Sequence, residues 1–421
     1  MNAPEMTVPS IPTRSLFPSA PLLLMAVLVG FVASAPADAY EQEASAIDTS
    51  PDMAKLPAPT GRYSVGTVLY DWADESREEQ WSTVPGKRRE LMVQVWYPAD
   101  STQGRQAEPY VPDFERLKKS LDQDWPGMPS FKTHAVLGAR LSSAENRYPI
   151  LVFAHGMNSA RFFYTALLEE LASHGYIVVA IDHTYWGPGV AFPGGSTVPY
   201  EDGMDAVDNL TSDEIDQMMW AGVSVMVGDE VFVEKRFAQL DRASAPSNLF
   251  RNRLDLARVG VVGHSMGGQA ATRSCLEYTA FKACACLDGL NPFFYLRPKP
   301  SKKPFLLLIN ATWGTTIISP SLAQRYLAAW SAPKVFIIRG TKHNSFDDTP
   351  LLDPRERAKT PGDPLRAHSV IAALVLNFFD HAFGYGAEKR PTSNVLQDVV
   401  AVDLRRIAGE KAAPGSHTPG D

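Results

Sequence analysis

Cysteine is nearly absent. The 421 residues contain three, Cys275, Cys284 and Cys286. That number is too small and too odd for a disulfide framework. The chain has no C-x-x-C pair and no histidine cluster, which argues against a structural zinc site, and no metal or cofactor is expected. Basic blocks are missing too. With a net charge of −7, neither nucleic acid nor an anionic membrane surface is an expected partner. Internal repeats are also lacking. The one conspicuous apolar stretch, Pro21–Ala33, is too short for a comfortable transmembrane helix.

What is present begins with that stretch. Arg14, the apolar run and the small-residue sites Ala33-Ser34-Ala35 and Ala37-Asp38-Ala39 have the layout of a secretory signal. Cleavage is expected after Ala39, because a cut after Ala35 would leave Pro36 at the new terminus. An uncleaved anchor is the alternative. The mature chain is therefore expected outside the cytoplasm, secreted or periplasmic, with no stable membrane insertion. Cys284 and Cys286 alternate along an apparent strand and face one side. Cys275, on the preceding helix, could meet either, so buried free thiols are expected, with a disulfide as the alternative.

A composition of 45 % hydrophobic residues supports one large core. Residues 40–60 form a Pro/Ala-rich lead-in, and 61–386 alternate strand-like and helix-like runs, as in a mostly parallel α/β sheet. Ala367–Phe383 closes this domain as an amphipathic helix. Residues 101–145 and 187–250 interrupt the rhythm as lid-like insertions. The second contains Asp213–Gln239, one long helix or two short ones. The tail 387–421 offers one apolar segment, Val395–Leu404, and is otherwise expected to be partly disordered.

The most informative motif is Gly263-His264-Ser265-Met266-Gly267, between the apolar run Val259–Val262 and a helix start at Gly268. In that context G-x-S-x-G lifts a serine hydroxyl above the sheet edge, poised to attack an acyl carbon. The bland reading is a glycine-rich helix start capped by serine. A serine nucleophile needs a base and an orienting acid, following it in the order acid, histidine. His343 stands in a loop after the strand Val335–Ile338. His368 and His381 lie within a helix, and His417 in the tail. Asp288 ends the strand Ala283–Leu287, whereas the next strand runs into Asn310–Gly314 without a carboxylate. Glu277 reads as helical, and Asp347 and Asp348 lie too close to His343. Elimination leaves Asp288, against the plainer reading of an Asp-Gly turn.

Two backbone N–H groups must face the developing oxyanion. Met266 follows the serine. Met157 follows Gly156 in the loop after the strand Tyr148–Ala154, where His155 is expected to shape the loop rather than act as a second base. Phe162, Phe163, Trp186, Phe293, Phe294 and Trp313 follow strands at the same sheet edge. They are candidates for an apolar pocket, with lid packing as the equal alternative.

Several segments together resemble the platelet-activating-factor acetylhydrolase family of α/β-hydrolases (the plasma and type II kind). They are Glu90–Pro98, Tyr148–Gly156, Leu171–His183, Gly263–Gly268, Leu287-Asp288-Gly289 and His343–Asp347. The similarity runs from about Gly61 to Gly384, and the placement of the acid after this strand is its most specific feature. It departs in 101–145 and 187–250. The resemblance implies an α/β-hydrolase fold and a metal-independent serine esterase acting on a small-molecule or lipid ester with a short acyl group. Rival readings are a polyester, cutinase-like or lipase-like hydrolase, an amidase or peptidase, and a non-catalytic binding protein on the same fold.

Overall fold

In a computed structural model of the protein, residues 55–121, 128–199, 211–245, 248–290, 299–386 and 396–409 are described. The signal-like segment 1–39, most of the lead-in and the end of the tail lie outside the described residues. The strands are β1 (Ser64–Glu78), β2 (Arg88–Ala99), β3 (Val136–Leu137), β4 (Tyr148–Ala154), β5 (Ile177–Asp182), β6 (Gly189–Ala191), β7 (Thr197–Pro199), β8 (Leu254–His264), β9 (Ala283–Leu287), β10 (Phe305–Asn310), β11 (Lys334–Ile338) and β12 (Val399–Ala401). The α-helices are α1 (Phe114–Leu117), α2 (Thr165–Ser173), α3 (Ser212–Leu240), α4 (Met266–Glu277), α5 (Pro320–Ala329), α6 (Thr349–Leu352), α7 (Pro354–Ala358), α8 (Pro364–Phe383) and α9 (Leu404–Ile407).

Ten strands form one sheet in the order β12-β11-β10-β9-β8-β4-β5-β2-β1-β3. The six central strands run parallel, with antiparallel neighbours at β2 and β12. This is the mostly parallel α/β sheet that the alternating pattern implied, in the α/β-hydrolase arrangement that the family resemblance implied. Parallel strands covered on both faces read as continuous apolar runs, and every residue of β4, β5 and β9 is buried. Alternate residues divide between two cores. Ile150, Val152, Val259 and Ile309 pack under α3, α4 and α5, together with all three cysteines. Leu151, Phe153, Val262 and Leu308 pack under α2 and α8. The cysteines are free and buried, as expected of small apolar side chains in a core.

Local signals set several boundaries. Helix α8 starts with Asp363 accepting from Leu365 N–H and Pro364 in its first turn, and stops at Gly384 with φ 58°. The segment 213–239 lies within one helix, α3, of 29 residues, not two short ones. The capping box between Thr211 and Glu214 nucleates it. Strand β1 runs to Glu78 because β2 pairs with it along most of its length. The apolar segment near 400 supplies the edge strand β12, antiparallel to β11. Among the described residues, no helix is long and apolar enough to cross a membrane.

Helix α3 packs along α4, the helix that follows the nucleophile motif. Trp186, Val223, Met226, Val227, Met266 and Ala270 are the buried residues of that contact, with Met157, Met218 and Met219 at its rim. Gly222 lets the α3 backbone lie on the Trp186 indole, since a methyl group there would stand 2.6 Å from two ring carbons. Gly222→Ala gains up to about 1 kcal/mol of helix propensity, but overpacking against a buried ring costs about 1–3 kcal/mol. The variant is expected to melt at a lower temperature than the wild type. A higher melting temperature would show that the indole yields.

Candidate active site

Strands β4 and β8 lie side by side, and the chain leaves them toward opposite ends of the sheet. Such a switch point opens a crevice at the carboxyl ends of the strands. Ser265 stands there, between β8 and α4, with φ 54° and ψ −122°. A non-glycine residue in that region costs about 1–3 kcal/mol and is held only by its surroundings. Those surroundings are explicit. Ser265 N–H donates to Leu287 O at 2.8 Å, and Ser265 O accepts from Gln269 N–H at 3.1 Å. Gly263 and Gly267 are demanded by close approach, because a Cβ on either would meet a backbone oxygen at 2.3 Å.

The Ser265 hydroxyl lies 3.0 Å from His343 Nε2, and His343 Nδ1 lies 2.6 Å from Asp288 Oδ2. The structure thus brings together the three side chains singled out as nucleophile, base and acid. Asp288 is buried, while Ser265 and His343 are half-buried, so the reacting end of the line is reachable. Asp288 also has a positive φ of 55°. Two donors from Asn310 hold its carboxylate, the backbone N–H at 2.8 Å and the side-chain Nδ2 at 2.7 Å. Asn310 Oδ1 in turn accepts from Trp313 N–H at 3.0 Å.

Two aromatic side chains pack on the His343 ring. His264 packs on it at 4.6 Å between centroids, and Trp313 at 4.9 Å. Burial, with the adjacent His343, holds the His264 imidazole well below its ordinary pKa and therefore neutral. His264 Nδ1 lies 2.9 Å from the Tyr164 hydroxyl, which accepts from Gly156 N–H at 3.1 Å. One buried tyrosine therefore ties the loop after β4 to the residue beneath the base. His264, Asp288 and His343 bring ligand-type atoms within 4.8 Å of one another. Both nitrogens of His343 already face Asp288 and Ser265, and His264 Nδ1 faces Tyr164.

Across the crevice, a methyl group on Gly156 would stand 3.1 Å from Ser265 Cβ, so the loop carrying Met157 runs against the serine. Met266 is the first residue of α4, and an N–H in the first helical turn has no intrahelical acceptor. Among the described residues, neither Met157 nor Met266 donates to a neighbouring loop or turn. Asp347 and Asp348 do other work. Burial pushes Asp347 up to about 6 and Asp348 well above the usual carboxylate range. Asp348 accepts from Ala166 N–H and Tyr110 OH at the start of α2.

The aromatic candidates separate. Trp313 touches His343, and Trp186 packs in the cluster holding Met157 and Met266. Phe162 is fully buried with Tyr110, Phe131 and Leu351, a packing position, and Phe163 is half-buried beside it. Phe293 and Phe294 lie outside the described residues. Sequence reasoning assigned no role to Asn310, His264 or Tyr164 in this arrangement. Asn310 is a polar residue ending a buried strand, which marks the position but not what its side chain faces.

The sequence profile of platelet-activating factor acetylhydrolase, isoform II, matches residues 49–186 and 230–389. The chain is 25 % identical to platelet-activating factor acetylhydrolase of Cavia porcellus over 242 residues, about half of each chain (52 % and 52 %). It is 26 % identical to a probable 1-alkyl-2-acetylglycerophosphocholine esterase of Arthroderma benhamiae over 344 residues, 73 % of this chain and 80 % of the relative. Among solved structures, a ferulic acid esterase from Streptomyces cinnamoneus superimposes with a TM-score of 0.65 at 29 % identity. That match covers 83 % of this chain and all of the other.

Asn310→Leu keeps the branched side-chain skeleton, with bulkier methyl groups, and removes the Nδ2 donor from Asp288. A hydrogen bond to a charged group contributes about 1.5–3 kcal/mol. Ester turnover is accordingly expected to fall roughly 10- to 100-fold with KM little changed. An unchanged kcat would make Asn310 a packing residue only.

Proposed function

The chain belongs to the platelet-activating factor acetylhydrolase, isoform II, family, and on that premise we propose that it is a serine carboxylic ester hydrolase. The observation that carries this reading is the continuous line Ser265–His343–Asp288, at 3.0 and 2.6 Å, on a strained turn. His343 Nε2 takes the Ser265 proton as Oγ attacks the ester carbonyl. Asp288 accepts from Nδ1–H, fixing the tautomer and stabilising the imidazolium. The N–H groups of Met157 and Met266 hold the oxyanion. His343 then protonates the departing alcohol, an acyl-enzyme remains on Ser265, and water activated by His343 releases the acid.

The substrate in this proposal is a small-molecule or lipid ester with a short acyl group, and the mature enzyme acts outside the cytoplasm after cleavage near Ala39. The names of the acetylhydrolase and acetylglycerophosphocholine esterase relatives support the short acyl group. The signal-like N-terminus supports export. A second reading has its own observation. The solved relative is a ferulic acid esterase, and here the half-buried Trp313 indole packs on the proposed base at 30° between ring planes, where a planar aromatic acyl group could stack.

Rates on p-nitrophenyl esters of increasing acyl length and on methyl ferulate, beside Ser265→Ala, test the proposal. Turnover is expected to peak at acetate or butyrate and to fall by about four orders of magnitude or more in the variant. Preference for ferulate selects the second reading. Equal rates for wild type and variant contradict the mechanism.

A further inference from the structure

The carbonyl of Gly156 is held by two donors. His155 Nδ1 lies 2.7 Å from it and Ser159 N–H donates to it at 3.2 Å. This carbonyl shares one planar peptide unit with the N–H of Met157, and in a trans peptide the two point in opposite directions. Whatever fixes the carbonyl therefore aims the N–H. Ser265 stands next to that peptide, its Cβ 3.1 Å from where a methyl group on Gly156 would be.

The orientation of His155 is itself fixed. Its Nε2 accepts from His183 N–H at 3.0 Å, which places the ring hydrogen on Nδ1, facing the Gly156 carbonyl. Burial, with the neighbouring His183, keeps the ring neutral, so the acceptor at Nε2 persists. His183 is buried in turn, with Nδ1 2.9 Å from Asp229 Oδ2 on α3. Arg89 clamps Asp229 through bonds of 2.6 and 3.1 Å, and Arg77 adds one of 2.8 Å. The other end of the loop is tied down where Asn158 N–H donates to Trp186 O at 2.9 Å. Asp229 is the last residue of the segment 187–229 that the family profile does not match.

We propose that His155 is a positioning residue, pinning the Gly156–Met157 peptide so that the Met157 N–H faces the substrate oxyanion, and that Asp229, through His183, makes α3 part of this device. The inference rests on the reading of Met157 as an oxyanion donor. It gives α3 a role in turnover, beyond covering the site.

The test compares His155→Phe, His155→Asn, Asp229→Asn and Ser265→Ala in the full chain. It uses p-nitrophenyl acetate and a trifluoromethyl ketone, which serine converts to an oxyanionic hemiketal. His155→Phe is expected to lower kcat roughly 100-fold, to leave KM within about threefold, and to weaken the ketone by a factor similar to the loss in kcat. His155→Asn, whose short amide can donate to the Gly156 carbonyl, recovers most of that loss. Asp229→Asn lowers kcat roughly tenfold at unchanged KM. An asparagine variant no better than phenylalanine, a loss confined to KM, or unchanged ketone affinity overturns the proposal. An unchanged kcat in Asp229→Asn removes α3 from the device. If His155→Phe does not fold, His155→Ala takes its place in the same comparison. Full activity in Ser265→Ala overturns the serine reading itself. An inert Ser265→Ala beside fully active His155 variants overturns only the positioning role.

Discussion

The reversal of the chain at Ser265 is the constraint on which the site depends. A serine at φ 54° is tolerable only where the strand before it and the helix after it can nearly touch. The two flanking glycines let the β8 end, the α4 start and the β4 end approach to distances that no Cβ allows. That crowding brings the loop after β4 against the serine and leaves the hydroxyl standing in the switch-point crevice. The same turn leaves the N–H of Met266 at a helix start, without an intrahelical acceptor. The proposed nucleophile, the proposed oxyanion donor and the crevice thus share one backbone event.

Around that event the structure invests in immobility. Asp288 accepts from both the backbone and the side chain of Asn310, and both His264 and Trp313 pack on the His343 ring. Tyr164 links the loop after β4 to His264, and Arg161 pairs with buried Asp182 at the end of β5. Such supporting contacts hold reacting groups near one geometry, which is what preorganised electrostatic catalysis requires.

Much of this was legible in the chain itself. Buried parallel strands carry a dense apolar signature, so β4, β5, β8, β9 and β10 could be read directly. Ser265, Asp288 and His343 each follow a strand, and their order along the chain carries meaning. The supporting residues were not legible, for a physical reason. Asn310 and His264 act by facing side chains that are distant in sequence, and neither type nor spacing encodes a facing direction. Phe162 misled as a pocket candidate because sheet-edge aromatics serve packing and binding alike, and here it is buried with Tyr110 and Phe131. Helical periodicity was visible over 213–239, but it did not decide between one long helix and two short ones. Its docking along α4 depends on Gly222 meeting Trp186, a contact between segments that no local pattern joins.

The central claim is that Ser265 carries the acyl group between the two halves of the reaction. Rapid acid quench of the enzyme with p-nitrophenyl acetate, followed by peptide mass spectrometry, tests it most directly. The account predicts one acetyl group on the peptide containing Ser265, appearing with the first turnover and absent in Ser265→Ala. Turnover without that adduct, with the same rate in the variant, would contradict it.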